Sequence, residues 1–197
     1  MIYTITFNPA IDCVMRVDDL AFGRINRAAS QEFFFGGKGV NVSYVLSHLG
    51  RTSTAWGFIA GWTGAALEAA LQEDGIPTGF IHLPAGNTRI NAKLKGTVAG
   101  GDSSEETAVN AAGPVIDEAS LLRFFAQLDQ VRPGDFVILS GGIPKGTPKD
   151  IYARVMRELE GRDVRVVVDA TQDVLMLSLP YRPFLVKPND EELAEIT

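Results

Sequence analysis

The 197-residue sequence predicts an α/β fold, a mostly parallel central sheet with helices on both faces and a small extra antiparallel β sheet. Three observations lead there. Short apolar runs alternate along the chain with segments of helical period. The runs Phe136-Val137-Ile138-Leu139 and Val164-Arg165-Val166-Val167-Val168 are almost continuously apolar, the pattern of strands covered on both faces. Residues 13–17 and 89–98 instead alternate apolar with polar and have no long helix beside them, as strands of a second, half-exposed sheet would.

Residues 2–7 alternate, are β-rich and form the first strand. Phe33-Phe34-Phe35 reads as a strand stopped by a glycine pair. Val42, Val45, Leu46 and Leu49 fall three to four apart, which predicts a helix over 40–49 with Gly50 as its stop. A strand over 54–59 and a helix over 63–74 follow, the helix closed by Gly75-Ile76-Pro77. Asp117 caps a long helix over 117–130. The helix over 147–159 joins the two buried strands, and 184–186 is a last short strand. The strands of the extra sheet are expected as insertions at about 13–35 and 88–110 in one α/β unit over 1–197.

Composition narrows the function classes. The net charge of −6 argues against a nucleic-acid partner, whose binding needs a basic surface. One cysteine, Cys13, excludes an intrachain disulfide and a thiolate zinc site. Two histidines, His48 and His82, make a His-rich metal site a poor expectation. No apolar run approaches the ~18 residues of a membrane helix. The start lacks the basic region of a signal peptide, so the expectation is a cytoplasmic protein without a membrane partner.

Open α/β sheets bind ligands at the carboxyl ends of their strands. Here the strand-like runs end in Asn8-Pro9-Ala10-Ile11-Asp12, Gly36-Gly37-Lys38-Gly39-Val40-Asn41, Ser140-Gly141-Gly142, Asp169 and Lys187-Pro188-Asn189. Their convergence on one edge would make an active-site cleft. The glycine-rich segment opens a helix; it is neither a Walker A loop nor a dinucleotide fingerprint, and it favours a ligand contact over a plain tight turn. Asp12 suits sugar hydroxyls or an Asx-turn equally. Alternation puts Arg89, Asn91, Lys93 and Lys95 on one strand face, either a phosphate clamp or the solvated face of an edge strand. Asn189 and Glu192 have capping-box spacing; the other reading is Lys187 at a nucleotide phosphate with Asn189 and Glu192 near Mg²⁺. Asp169 either orients a metal-bound water or ends a strand. Cys13 and His48 read as packing or surface, and Trp56, Phe58 and Trp62 as core.

Five segments, in register and in order, resemble the ribokinase-like (PfkB) sugar kinases, most closely their hexose-phosphate branch. They are Thr4-Ile5-Thr6-Phe7-Asn8-Pro9-Ala10-Ile11-Asp12, Gly36-Gly37-Lys38-Gly39-Val40-Asn41-Val42, Thr88-Arg89-Ile90-Asn91-Ala92-Lys93-Leu94, Ser140-Gly141-Gly142-Ile143-Pro144 and Val186-Lys187-Pro188-Asn189-Asp190-Glu191-Glu192. The resemblance implies a ribokinase-like fold and an ATP- and Mg²⁺-dependent kinase acting on a ketohexose phosphate. Fructose 1-phosphate, converted to fructose 1,6-bisphosphate, is the first candidate. Tagatose 6-phosphate and fructose 6-phosphate are alternatives, as is a non-catalytic sugar-phosphate-binding fragment. The resemblance also implies roles: Asp12, Gly36, Gly37 and Asn41 on the sugar; Arg89 with Arg27, Lys38 and Lys93 on the phosphate it carries; Ser140 in the sugar pocket; Lys187 on ATP; Asn189 and Glu192 positioning Mg²⁺, through water. The extra strands would form a lid that pairs two subunits into a homodimer. The family pattern continues into a Gly-Ala-Gly-Asp-type motif supplying an anion hole and the general-base Asp, and this sequence has no such motif. The base is therefore expected beyond residue 197, in a chain truncated at its C-terminal side.

Overall fold

The computed structural model describes residues 1–97, 104–188 and 190. In chain order the elements are β1 (Ile2–Thr6), β2 (Ala10–Arg16), β3 (Ser30–Gly36), α1 (Lys38–His48), β4 (Thr54–Ala60), α2 (Gly61–Glu73), β5 (Thr78–Leu83), β6 (Arg89–Thr97), β7 (Ser104–Val109), α3 (Glu118–Gln127), β8 (Phe136–Ser140), α4 (Ile151–Glu158), β9 (Arg165–Asp169), α5 (Gln172–Ser178) and β10 (Leu185–Val186).

Six strands in the order β10-β9-β8-β1-β4-β5 form the central sheet, and every pairing in it is parallel. Its strands alternate between two helical layers. Tyr3, Ile5 and Phe7 face α3, α4 and α5, packing with Phe58, Phe124, Tyr152 and Val168 in the larger core. The opposite layer, α1 and α2, contributes Val40, Leu67 and Leu71 to a second core. There β1 presents Thr4 and Thr6, which suit a close helix. Thr4 Oγ1 lies 2.6 Å from Ser43 Oγ of α1, and Ser53 Oγ donates to Ser43 Oγ at 3.0 Å. All three hydroxyls are buried, so their mutual hydrogen bonding is what makes that burial tolerable.

The second sheet has the order β3-β2-β6-β7. The expected antiparallel pairing holds for its outer pairs, β2–β3 and β6–β7, but the central pair β2–β6 is parallel. The reason lies in the connections. β2 and β6 each leave the carboxyl edge of the main sheet, one after β1 and one after β5, and run away from it side by side; β3 and β7 are their return strands. Phe33-Phe34-Phe35 accordingly belongs to this sheet and not to the central one.

Other elements shift or are new. α4 begins at Ile151 rather than at 147, because Pro148 and the turn before it come first. β5 and α5 have no counterpart in the sequence reading. Asp117 does cap α3, accepting from Ser120 N at 2.9 Å. Trp56 and Phe58 are core residues, whereas Trp62 is 69% exposed at the start of α2. Cys13 is buried and accepts a hydrogen bond from Gln31 Nε2. Among the described residues no helix is long and apolar enough to cross a membrane.

Candidate functional site

Chain reversal in the strand order places a crevice beside the carboxyl end of β1, where the chain turns to β4 on one side and β8 on the other. α1 starts at this crevice. Gly37 precedes it at φ 127°, and a Cβ there would meet Thr6 Cγ2 at 2.9 Å and Pro9 Cα at 3.0 Å. At Gly39 a Cβ would come within 2.5 Å of Thr6 Oγ1 and 3.0 Å of the Ile5 carbonyl oxygen. Packing of α1 on β1 thus explains both glycines. Asn41 lies over Gly36, where a Cβ would approach its Oδ1 to 2.7 Å.

Two polar groups flank the crevice. The first is centred on Asp169, the last residue of β9, paired in register with Ser140 at the end of β8. Ser140 Oγ donates to Asp169 Oδ2 at 2.8 Å, and both residues are buried. Lys187 Nζ stands 3.6 Å and Lys38 Nζ 4.0 Å from Asp169 Oδ1. Neither distance is a hydrogen bond, and Oδ1 is a buried oxygen without a hydrogen-bond donor among the described residues. Two ammonium groups are thereby drawn to one carboxylate at the sheet edge. Tyr152 supports the turn that follows β8, donating to the Gly141 carbonyl oxygen at 2.8 Å. Burial, with the Asp169 charge adding, pushes the Tyr152 phenol up and keeps it a donor.

The second group lies on one face of the small sheet. The parallel register sets Asp12 beside Asn91, and Val14 beside Lys93. Asn91 Nδ2 donates to Asp12 Oδ1 at 2.8 Å, and Lys93 Nζ reaches Asp12 Oδ2 at 2.8 Å. Hydrogen bonding to Asp12 raises the Lys93 pKa against the opposing effect of desolvation. Arg89 projects from the same face. Its Nη1 donates to the Ala111 carbonyl oxygen at 3.4 Å, while its Nε is buried without a partner among the described residues. Desolvation lowers the Arg89 pKa, with Asp12 acting in the other direction. The guanidinium borders an open cleft of about 420 Å³ that Trp62 and the 111–113 segment also line. Lys95 is paired with Glu106 at 3.2 Å.

The two groups are joined by a short chain of contacts. Asn8, just past β1, donates to the Ala112 carbonyl oxygen at 3.1 Å, next to the carbonyl that holds Arg89. Pro9 lies against Gly37, and Lys38 lies against Gly141. The structure therefore brings together Asp12, Gly36, Gly37, Lys38, Asn41, Arg89, Lys93, Ser140 and Lys187 along one crevice. It does not bring in Arg27, which is exposed in the loop between β2 and β3. Asn189 and Glu192 lie outside the described residues. Among the described residues no cluster of three His, Cys, Asp or Glu side chains stands ready for a metal ion. Asn91 and Asp169 are the members that sequence reasoning left off its list of site residues. Both had a signal: Asn91 shares the alternating face with Arg89 and Lys93, and Asp169 and Ser140 each follow an apolar run at the matching position.

The model of the pfkB family carbohydrate kinases matches residues 4–197. Over 196 residues the chain is 37% identical to a 1-phosphofructokinase of Bacillus subtilis (strain 168), covering 100% of this chain and 62% of that protein. It is 35% identical to a D-tagatose-1-phosphate kinase of Bacillus licheniformis, covering 98% of this chain and 61% of that one. The crystal structure of phosphofructokinase-2 from Escherichia coli with substrates and products superposes with a TM-score of 0.89 at 25% identity, over 98% of this chain and 62% of that one. The chain thus spans about three-fifths of the length of the relatives it matches.

Proposed function

Because the chain belongs to the pfkB family of carbohydrate kinases, we propose that the protein transfers the γ-phosphoryl group of ATP to a hydroxyl of a ketohexose phosphate, with fructose 1-phosphate, giving fructose 1,6-bisphosphate, as first substrate. The observation that carries this reading is the face shared by Asp12, Asn91, Lys93 and Arg89. A carboxylate that can accept from sugar hydroxyls stands beside an ammonium and a guanidinium that can hold a phosphate. The D-tagatose-1-phosphate kinase and 1-phosphofructokinase among the relatives favour a ketohexose 1-phosphate over the 6-phosphates.

In this reading Asp12, Gly36, Gly37, Asn41 and Ser140 surround the sugar, and Arg89 and Lys93 take its phosphate. Lys187 and Lys38, held near Asp169, face the transferring phosphates, where charge neutralisation and positioning are most of the catalysis. The two ammoniums at the Asp169 edge fit an anionic phosphate chain. Mg²⁺, which would neutralise charge on that chain, is assigned to Asn189 and Glu192 and not to any described carboxylate. No residue of the 197 is assigned as the general base. The small sheet acts as a lid that excludes competing water. Its face opposite Asp12 exposes Phe33, Ile90 and Val109, and we assign that face to a homodimer contact.

The test is ATP- and Mg²⁺-dependent formation of fructose 1,6-bisphosphate by the intact protein, with tagatose 1-phosphate, fructose 6-phosphate and tagatose 6-phosphate in parallel. Arg89→Ala should raise KM for the sugar phosphate far more than for the free sugar. Equal effects on both would refute the clamp, and no turnover with any ketohexose phosphate would refute the proposal.

A further inference from the structure

Asp12 is the carboxylate best placed to read sugar hydroxyls, yet in this structure both its oxygens are taken. Oδ1 accepts from Asn91 Nδ2 and Oδ2 is held by Lys93 Nζ, each at 2.8 Å. The two bonds differ in kind. Asn91 is buried, on a short side chain. Lys93 has a flexible four-carbon stem and a side chain about one-third exposed. It is also the middle of three cations on one strand face, with Arg89 four residues before it and Lys95 two residues after. Lys95 is matched by Glu106, and Arg89 is fixed to the Ala111 carbonyl oxygen. Among these three cations, Lys93 is the one that sits on Asp12.

We infer that Lys93 is a phosphate-operated latch on Asp12: it covers Oδ2 in the free protein, moves to the phosphate of an arriving substrate, and so opens Asp12 to a sugar hydroxyl only when that sugar is already phosphorylated. The inference rests on the proposed ketohexose-phosphate substrate and adds the source of its selectivity. A phosphate beside Arg89 carries up to twice the charge of a carboxylate and more acceptor oxygens, so the ammonium exchanges one anion for a stronger one. Asn91 keeps Oδ1 fixed during the exchange, so the carboxylate is freed on one side without losing its orientation. Discrimination against neutral sugars then has two sources: they lack the contact to Arg89 and Lys93, and they meet an Asp12 that is already engaged.

The intact protein and its Lys93→Met and Lys93→Arg variants are titrated calorimetrically with fructose 1-phosphate, with fructose, and with fructose in the presence of saturating inorganic phosphate. The latch predicts that Lys93→Met weakens fructose 1-phosphate and tightens fructose by roughly fivefold, the scale of one partly exposed ion pair. It predicts that inorganic phosphate strengthens fructose binding to the wild type and to Lys93→Arg but not to Lys93→Met. A simple phosphate clamp leaves fructose affinity unchanged in Lys93→Met, and a structural role lowers it; either result overturns the latch while leaving the proposed substrate class intact. A wild type that does not prefer the phosphorylated sugar overturns both. Where Lys93→Met fails to fold, by thermal melt, the wild-type structure with fructose 1-phosphate decides. Nζ still within hydrogen-bond distance of Asp12 Oδ2 would then overturn the latch, and Nζ on the phosphate would uphold it.

Discussion

Replacing Gly39 by alanine sets two effects of opposite sign against each other on α1. Alanine is the better helix former by about 1 kcal/mol, so propensity alone predicts a more stable protein. The structure predicts the reverse. The new Cβ would stand 2.5 Å from Thr6 Oγ1, 3.0 Å from the Ile5 carbonyl oxygen and 3.2 Å from the Ile5 carbonyl carbon. Two of those three atoms are backbone of β1, a strand paired on both sides, and cannot step away. The helix start has to lift off the sheet. Overpacking of this kind costs about 1–3 kcal/mol, and the backbone contacts place Gly39 in the upper half of that range. After the propensity gain, a net loss of about 1–2 kcal/mol remains. The assay is equilibrium urea unfolding followed by the fluorescence of buried Trp56. Ser47→Ala, at an exposed position of the same helix, is the control and should gain a few tenths of a kcal/mol. A Gly39→Ala variant as stable as the wild type would refute the packing account of the glycine-rich segment and return Gly39 to a purely ligand-binding role.

Three further predictions follow from the same geometry. Ser140→Ala strips Asp169 Oδ2 of its buried donor and should destabilise by about 1–3 kcal/mol, read as a lower urea midpoint at unchanged slope. Phe124, fully buried with its ring centroid 5.3 Å from those of Phe7 and Phe58, should cost about 3–5 kcal/mol when replaced by alanine, read in the same unfolding assay. Asp12 raises the Lys93 pKa in the folded state, so the stability this pair contributes is complete below the unfolded lysine value and is lost as pH rises through the folded one. Lys93→Met should therefore flatten the alkaline fall of the thermal midpoint, and an unchanged alkaline limb would contradict the ion pair.

Which features were legible in the sequence follows from how local their causes are. β1, β4, α1, α2, β8 and β9 carry their own apolar period, and Asp117 announces its cap by position alone. β5 does not. Thr78-Gly79-Phe80-Ile81-His82-Leu83 is broken by a glycine and a histidine, and its strand state comes from pairing with β4. Even that glycine is set from outside, since a Cβ at Gly79 would meet Trp56 Nε1 at 2.7 Å. α5 is short and is held by its neighbours α4 and β9, not by its own periodicity. The parallel β2–β6 pair joins segments some eighty residues apart, so alternation shows which residues share a face but not which way the neighbour runs. The site divides the same way. Arg89, Asn91 and Lys93 share a face by counting in twos, whereas the Asp12–Lys93 pair and the convergence of Ser140, Lys38 and Lys187 on Asp169 exist only through strand register and helix placement.

The position of β1 within the main sheet also has a temporal side. Among the described strands β1 leaves the ribosome before the others, and its partner on one edge, β4, follows within about fifty residues. Its partner on the other edge, β8, begins at Phe136. At about 5–20 residues per second, synthesis needs roughly 7 to 27 s to supply it. From the completion of β4 to the end of that interval, β1 is an edge strand, with Tyr3, Ile5 and Phe7 short of the core that will cover them. The nascent chain is thus open to mispairing at a strand that ends up paired on both sides, and completion of β8 is the event that closes that window.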